Sequence, residues 1–242
     1  MFSPQTPNGG KPTNPLAIIV PALVIILGFV LVVFTGVLPM VEDRLMANKQ
    51  EMIRDMVRTS LQTLAHYHAK EQQGVLSRAE AQQEAIRLVQ AMRYGPDDKD
   101  YFWINDFGPQ MIMHPYRTDL VGQDLSDYAD PNGKLLFREF VRVARAKGSG
   151  YVDYMWQWQD DASRVVPKIS YVETFKPWNW IVGTGIYIED VRAEIRTLQR
   201  RLAIPSGAIL LLIIIFSGYY IGQWTRTERR RRHAWRALTE SR

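Results

Sequence analysis

Three pairs of residues in this chain combine useful chemistry with strand spacing. Tyr101 and Trp103, Tyr154 and Trp156, and Lys168 and Ser170 each stand two apart in runs rich in aromatic and β-branched residues, and residues two apart along a strand share a face. With Trp103, Tyr154, Trp156 and Lys168 on one face, the result is an apolar box holding one ammonium and one phenol hydroxyl. Such a box suits a small carboxylate: a desolvated lysine is costly without an anion, and a short alkyl tail would lie against the rings. The alternatives are that Lys168 pairs with an internal acid such as Asp153 or Glu173, or faces outward. His114, followed by Pro115, points to the rim of the same box if Trp103 lines it. It either hydrogen-bonds a ligand and makes binding pH-dependent, or serves as a structural hydrogen-bonder. Met113 reads as wall, Trp178 and Trp180 as core and turn packing, and Gly183 and Gly185 as places of close backbone approach.

Other chemistries fail on inspection. There is no cysteine, which removes disulfides and thiolate metal sites. His66 and His68 are two apart on a helix and do not share a face, so no metal is expected. No nucleophile elbow, phosphate-binding glycine loop or dinucleotide fingerprint occurs, and neither an enzyme nor a cofactor is expected. Asp97, Asp98 and Asp100 lack calcium-loop spacing and read as turn and strand-start residues. His233 lies in an arginine run with no ATP-binding domain to phosphorylate it. The net charge of +5 is local: residues 42–202 carry 22 Lys+Arg against 23 Asp+Glu, while residues 225–242 hold seven Arg and two Glu. A nucleic-acid partner is therefore not expected.

The elements that must position the box begin at a membrane. Leu16 to Val41 is a stretch of 26 residues without a charge, and at ~1.5 Å per residue a helix of that length exceeds the ~30 Å hydrocarbon core. It lacks the short apolar core and small-residue cleavage site of a signal peptide and reads as an uncleaved anchor. A second span is expected over 203–224, with Tyr219, Tyr220 and Trp224 as an interfacial belt. Arg226 and Arg229 to Arg232 place the following tail, 225–242, in the cytoplasm, and two spans return the N-terminal tail, 1–15, to the same side. Residues 42–202 are then exported, to the periplasm or outside of a bacterial cell. The basic tail also attracts anionic lipid.

Within the exported segment, Leu45, Met52, Ile53, Met56, Val57, Leu61 and Leu64 predict an amphipathic helix continuing out of the first span. Ser77 and Glu80, at capping-box spacing, open a second helix running toward Tyr94. Strands follow at Tyr101–Asn105 and Met111–His114, joined by a turn at residues 106–109. A helix signalled by Asp130 and Pro131 stops at Gly148. Three more strands, about Tyr151–Trp158, Val165–Thr174 and Trp180–Tyr187, have links too short for crossovers. The fold class is α+β with an antiparallel sheet.

The strings YFWIND (Tyr101–Asp106), MHP (Met113–Pro115), LVGQDLSDYADPNGK (Leu120–Lys134), GYVDYMW (Gly150–Trp156) and KISYVETFKPWNWIVGTGIYIEDV (Lys168–Val191) resemble the single Cache domain, a PAS-like extracytoplasmic sensor module of bacterial chemoreceptors and sensor kinases. The resemblance covers roughly Glu42 to Arg201. It implies a five-stranded antiparallel sheet, a small-molecule pocket on one face often holding short organic acids, and a working homodimer. The ligand residues expected are Trp103, His114, Tyr154, Trp156 and Lys168. Receptors of this kind continue into a signalling domain, whereas 18 residues follow the second span here, so the expected output is a separate signalling partner. A ligand-free assembly subunit, or the sensor part of a truncated receptor, is the competing expectation.

Overall fold

The computed structural model describes residues 14–240. Lys11 and most of the N-terminal tail lie outside the described residues, as does the side chain of His233.

The chain divides into two units. One is Val41–Ile195; the other comprises the segments up to Met40 and from Arg196. In the second unit, α1 (Leu16–Val32) passes into a π-helical turn at Val33–Val37, after which α2 (Leu38–Gln72) begins and continues as part of the Val41–Ile195 unit. The π turn has a local cause. Pro39 has no N–H to give and its ring crowds the carbonyl one turn back, and Leu38 N–H reaches Val33 O instead. The final helix, α5 (Ile188–Glu240), contains Pro205. Leu16–Gln72 and Ile188–Arg230 are long and apolar enough to cross a membrane, and Ile25, Phe29, Ile209 and Phe216 among others are exposed along them.

In the Val41–Ile195 unit, Ser77 caps α3 (Arg78–Ala91) with Glu80 in the reciprocal box the spacing predicts. The expected strands appear as β2 (Asp100–Asp106), β3 (Met111–Met113), β4 (Ser149–Trp158), β5 (Asp161–Phe175) and β6 (Trp180–Tyr187). A two-residue strand, β1 (Arg93–Tyr94), joins them where the sequence reads as helix end. All pairings are antiparallel; the order is β1-β2-β6-β5-β4, with β3 also on β2. The middle helix, α4, is Leu136–Lys147 and starts later than expected. Asp130 caps no helix. Its Oδ1 accepts from the backbone N–H groups of Asn132 and Lys134, both at 2.9 Å, and its Oδ2 from Met155 N–H at 2.9 Å. The carboxylate thus stabilises a local turn that competes with helix and ties it to the edge strand. Gly148 ends α4 in the left-handed region at φ 79°, where a Cβ is strained.

The sheet separates two cores. Phe102, Ile104, Met113, Tyr171, Val182 and Ile186 pack with Ile53, Val57 and Leu64 of α2 and Ala81, Ala85 and Val89 of α3. Tyr101, Trp103, Val152, Tyr154, Trp156 and Val172 face Leu136, Phe137, Phe140 and Ala144 of α4. Met113 therefore belongs to the helix-backed core and not to the aromatic box, correcting its expected place as wall.

Candidate functional site

The second core is an aromatic box that its own side chains almost fill. Tyr101, Trp103, His114, Leu136, Phe137, Phe140, Tyr154 and Trp156 leave only about 10 Å³ between them, far below the roughly 300–1,000 Å³ of drug-sized sites. That is room for about one water-sized group, so a ligand would enter only as these side chains move apart. Strand alternation puts Tyr101 and Trp103 of β2, and Tyr154 and Trp156 of β4, on its sheet side; α4 closes the other. Gly183 is required here because a Cβ would come within 2.3 Å of the Trp103 indole.

Lys168 of β5 extends along the same face, 1 % exposed. Its Nζ donates to Tyr101 Oη at 3.0 Å and Tyr187 Oη at 3.4 Å, and lies 4.2 Å from the Tyr101 ring centre and 4.6 Å from that of Tyr187. Among the described residues no carboxylate ion-pairs with it. Asp153 meets Lys134 at 3.3 Å and Glu173 meets Arg58 at 3.4 Å, so neither internal pairing weighed for Lys168 is present. Burial lowers the lysine's proton affinity, and the Asp100 carboxylate opposes that shift.

Other polar groups are tied around the box. Trp156 Nε1 donates to Tyr101 Oη at 2.9 Å, Trp103 Nε1 to Asn105 Oδ1 at 3.2 Å, and Tyr154 Oη pairs with Ser170 Oγ at 2.9 Å. Tyr187 Oη accepts from Gln159 N–H at 2.7 Å and donates to Gln157 O at 3.1 Å. Burial holds the Tyr101, Tyr154 and Tyr187 phenols well above their ordinary range, so they stay protonated. Outside the box, the Arg117 guanidinium sits 5.9 Å from the Trp156 ring and donates to Tyr128 Oη at 3.2 Å.

His114 lines the cavity at 2 % exposure. Its Nδ1 accepts from Tyr116 N–H at 3.1 Å and Arg117 N–H at 2.9 Å, which assigns the neutral ring's proton to Nε2. Burial, then the Lys168 and Arg117 charges, hold its pKa well below 6.5. It is a fixed neutral donor near pH 7, which removes the expectation that it makes binding pH-dependent in that range. The folded state resists protonating His114 while the unfolded chain accepts a proton near pH 6.5. The unfolded state therefore binds more protons at acidic pH, and stability falls as pH drops below about 6.5, by up to ~1.4 kcal/mol per unit. Thermal unfolding from pH 7 to 5 should show His114→Asn, which keeps an acceptor for the two N–H groups, losing less stability than the parent. Parallel curves would refute this.

Four of the five expected site residues, Trp103, His114, Tyr154 and Trp156, line the cavity, and Lys168 reaches it through Tyr101. Sequence reasoning missed Tyr101 as the lysine's partner, Tyr187 as its second, and Leu136, Phe137 and Phe140 as the far wall. Tyr101 was findable, two positions before Trp103.

An antiparallel α+β sheet carrying a nearly filled aromatic box and a buried lysine, in a chain that also carries two membrane-length apolar helices, is the architecture of a Cache sensor domain. The chain belongs to the single Cache domain 2 family, which matches residues 45–201. The methyl-accepting chemotaxis protein McpP of Pseudomonas putida is 42 % identical over 196 residues, covering 80 % of this chain and 36 % of that protein. The sensor histidine kinase MctS of Rhizobium johnstonii is 32 % identical over 114 residues, 47 % of this chain and 24 % of that one. The chain thus spans about a third or less of the length of these curated relatives. A solved structure described as the basis for carboxylic acid recognition by a Cache chemosensory domain is 41 % identical, covers 60 % of this chain and 97 % of that one, and superposes with a TM-score of 0.57. A periplasmic sensor domain of a chemotaxis protein is 46 % identical, covering 59 % of this chain and 96 % of its own, with a TM-score of 0.56.

Proposed function

We propose that the domain over 42–202 is an extracytoplasmic sensor that binds a short carboxylate and passes a conformational signal to a separate partner. The observation that carries this reading is Lys168: a buried ammonium hydrogen-bonded only to phenols, with no carboxylate in ion-pair contact among the described residues, beside an aromatic box that would open to admit the ligand. The ligand carboxylate would take the lysine, the Tyr101 hydroxyl and the His114 Nε2–H; its alkyl part would lie between Trp103, Phe140 and Trp156. The carboxylic acid recognition ascribed to a 41 % identical Cache structure supports the same class. The spans are placed at 16–41 and 203–224, the arginine-rich 225–242 in the cytoplasm, and the working unit is a homodimer in a bacterial cell membrane.

The test is a thermal-shift and calorimetric titration of the full chain in detergent micelles against straight-chain acids from formate to butyrate, with amines and urea as controls. At 100 times its dissociation constant a ligand stabilises by ~2.7 kcal/mol, a shift of several degrees. A response confined to short acids supports the reading; none from any acid refutes it.

A further inference from the structure

The aromatic box is nearly filled, so a ligand reaches Lys168 only if a wall moves. β4 is an edge strand. A groove of about 370 Å³ follows that edge, bounded by the loop that carries Arg117, Tyr128 and Asp130 and by Met155 of β4 and Val165 of β5. It opens to solvent at Ala129, Ala162 and Val165, all exposed. Trp156 lines both this groove and the box. Two side chains lie against its indole from the groove side: the Tyr128 ring centre is 5.7 Å from that of Trp156, and the Arg117 guanidinium 5.9 Å. They hold each other in place. Arg117 Nη1 donates to Tyr128 Oη at 3.2 Å, while its Nε and Nη2 donate to Asp119 at 2.8 and 2.7 Å. The backbone N–H of Arg117 donates to His114 Nδ1 at 2.9 Å, which anchors this layer to the box. The two carboxylates nearby are both engaged, Asp130 by three backbone N–H groups and Asp119 by Arg117, whereas the guanidinium has N–H donors to spare. The mouth of the groove thus offers donors, which suit an acid and not an amine.

We propose that this groove is the route by which a short acid reaches the box, and that Arg117 and Tyr128 are its latch: their mutual bond must break before the Trp156 indole can move into the groove and admit the ligand. The packing sets the direction of that movement. Opposite stand Leu136, Phe137 and Phe140, each 1 % exposed, and the sheet itself lies behind Tyr101 and Trp103; the groove is where there is space. Opening also changes the polar end of the box. Trp156 Nε1 donates to Tyr101 Oη, the same oxygen that accepts from Lys168. A departing indole frees that oxygen as the anion arrives. Arg117 and Tyr128 are positioning residues in this scheme, acting through Trp156. A neighbouring groove lined by Lys134, Pro167 and Ile188 also meets Tyr154; it is the competing route, and Lys134 supplies the control.

This rests on the carboxylate-binding reading, and two measurements keep the two apart. Calorimetry of the full chain in detergent micelles first asks whether acetate or propionate binds; no binding of either removes both readings. Stopped-flow tryptophan fluorescence then follows the approach to equilibrium at rising acid concentration, for the parent, Tyr128→Phe, Arg117→Met and Lys134→Ala. The parent's rate should level off at a plateau set by opening. Tyr128→Phe keeps the ring against Trp156 and loses the bond, so its plateau should rise about tenfold or more, the worth of a hydrogen bond to a charged group. Dissociation should quicken by the same factor and Kd stay nearly unchanged, because the bond is present with and without ligand. Arg117→Met should behave alike, and Lys134→Ala like the parent. A parent rate that climbs in proportion to acid concentration without levelling overturns the proposal and leaves the carboxylate reading standing. So does binding that calorimetry detects and tryptophan fluorescence does not, or a plateau raised by Lys134→Ala alone. A weaker Kd with an unchanged plateau in Tyr128→Phe or Arg117→Met makes that residue a ligand contact and overturns the latch equally. Should one of these two variants fail to fold, the other decides.

Discussion

Replacing Lys168 by methionine is expected to abolish carboxylate binding and leave the domain folded. The ammonium is buried and donates to two phenols, so a ligand carboxylate there would form a charge-assisted bond away from water. Truncating one partner of such a pair costs ~2–5 kcal/mol, a loss of roughly 30-fold to several thousand-fold in affinity. Stability should move far less. A lysine held inside with no carboxylate contact is a desolvation cost the folded state carries already, and an apolar side chain of similar length is often neutral or stabilising in such a place. Calorimetry and thermal unfolding of the same preparation give the answer. Retained affinity in a folded Lys168→Met variant would remove the lysine from the binding reading.

Phe140→Ala should produce the largest loss of stability of any change at the site. Phe140 is buried on α4, with ring centres 5.3 Å from Trp103, 5.4 Å from Phe137 and 5.2 Å from Tyr154. Removing a buried phenylalanine ring costs ~3–5 kcal/mol. At ~2–4 °C per kcal/mol for a domain of this size, the midpoint should fall on the order of 6–20 °C. The same change lengthens the cavity, so binding by the surviving folded protein should shift toward longer straight-chain acids, each added methylene contributing ~0.8 kcal/mol if it is fully buried. A midpoint within two degrees of the parent would mean that α4 does not close the cavity as described.

Much of this site can be read from alternation alone. Once Tyr154 and Trp156 face inward, Asp153 must face outward, and once Lys168 shares a face with Ser170, Glu173 lies on the other. Both internal partners considered for the lysine could have been rejected on that ground, and the structure rejects them. What alternation cannot give is contact between elements far apart in sequence. Leu136, Phe137 and Phe140 show helical spacing, but nothing in their order says that their helix covers the aromatic face. Asp100 read as a turn and strand-start charge, yet it is buried at 7 % exposure with Gly95 packed against its carboxyl, which charge and position along the chain do not disclose. Asp130 misled for a local reason: a carboxylate that can cap a helix can equally hold a turn, and here it also secures the β4 edge.

The Tyr187 hydroxyl joins Lys168 to the backbone of residues 157 and 159, and the next residue, Ile188, is the first of α5. The polar end of the cavity and the origin of that helix are therefore one peptide apart, under 4 Å of chain. Around this junction Arg164 stacks on Trp158 at 4.4 Å and pairs with Glu189 at 2.6 Å, pinning the β4–β5 turn to the helix's first turn. On the sensor reading proposed above, an ammonium drawn toward a bound anion would loosen one of the three bonds on that phenol, at the point where the chain turns from β6 into α5.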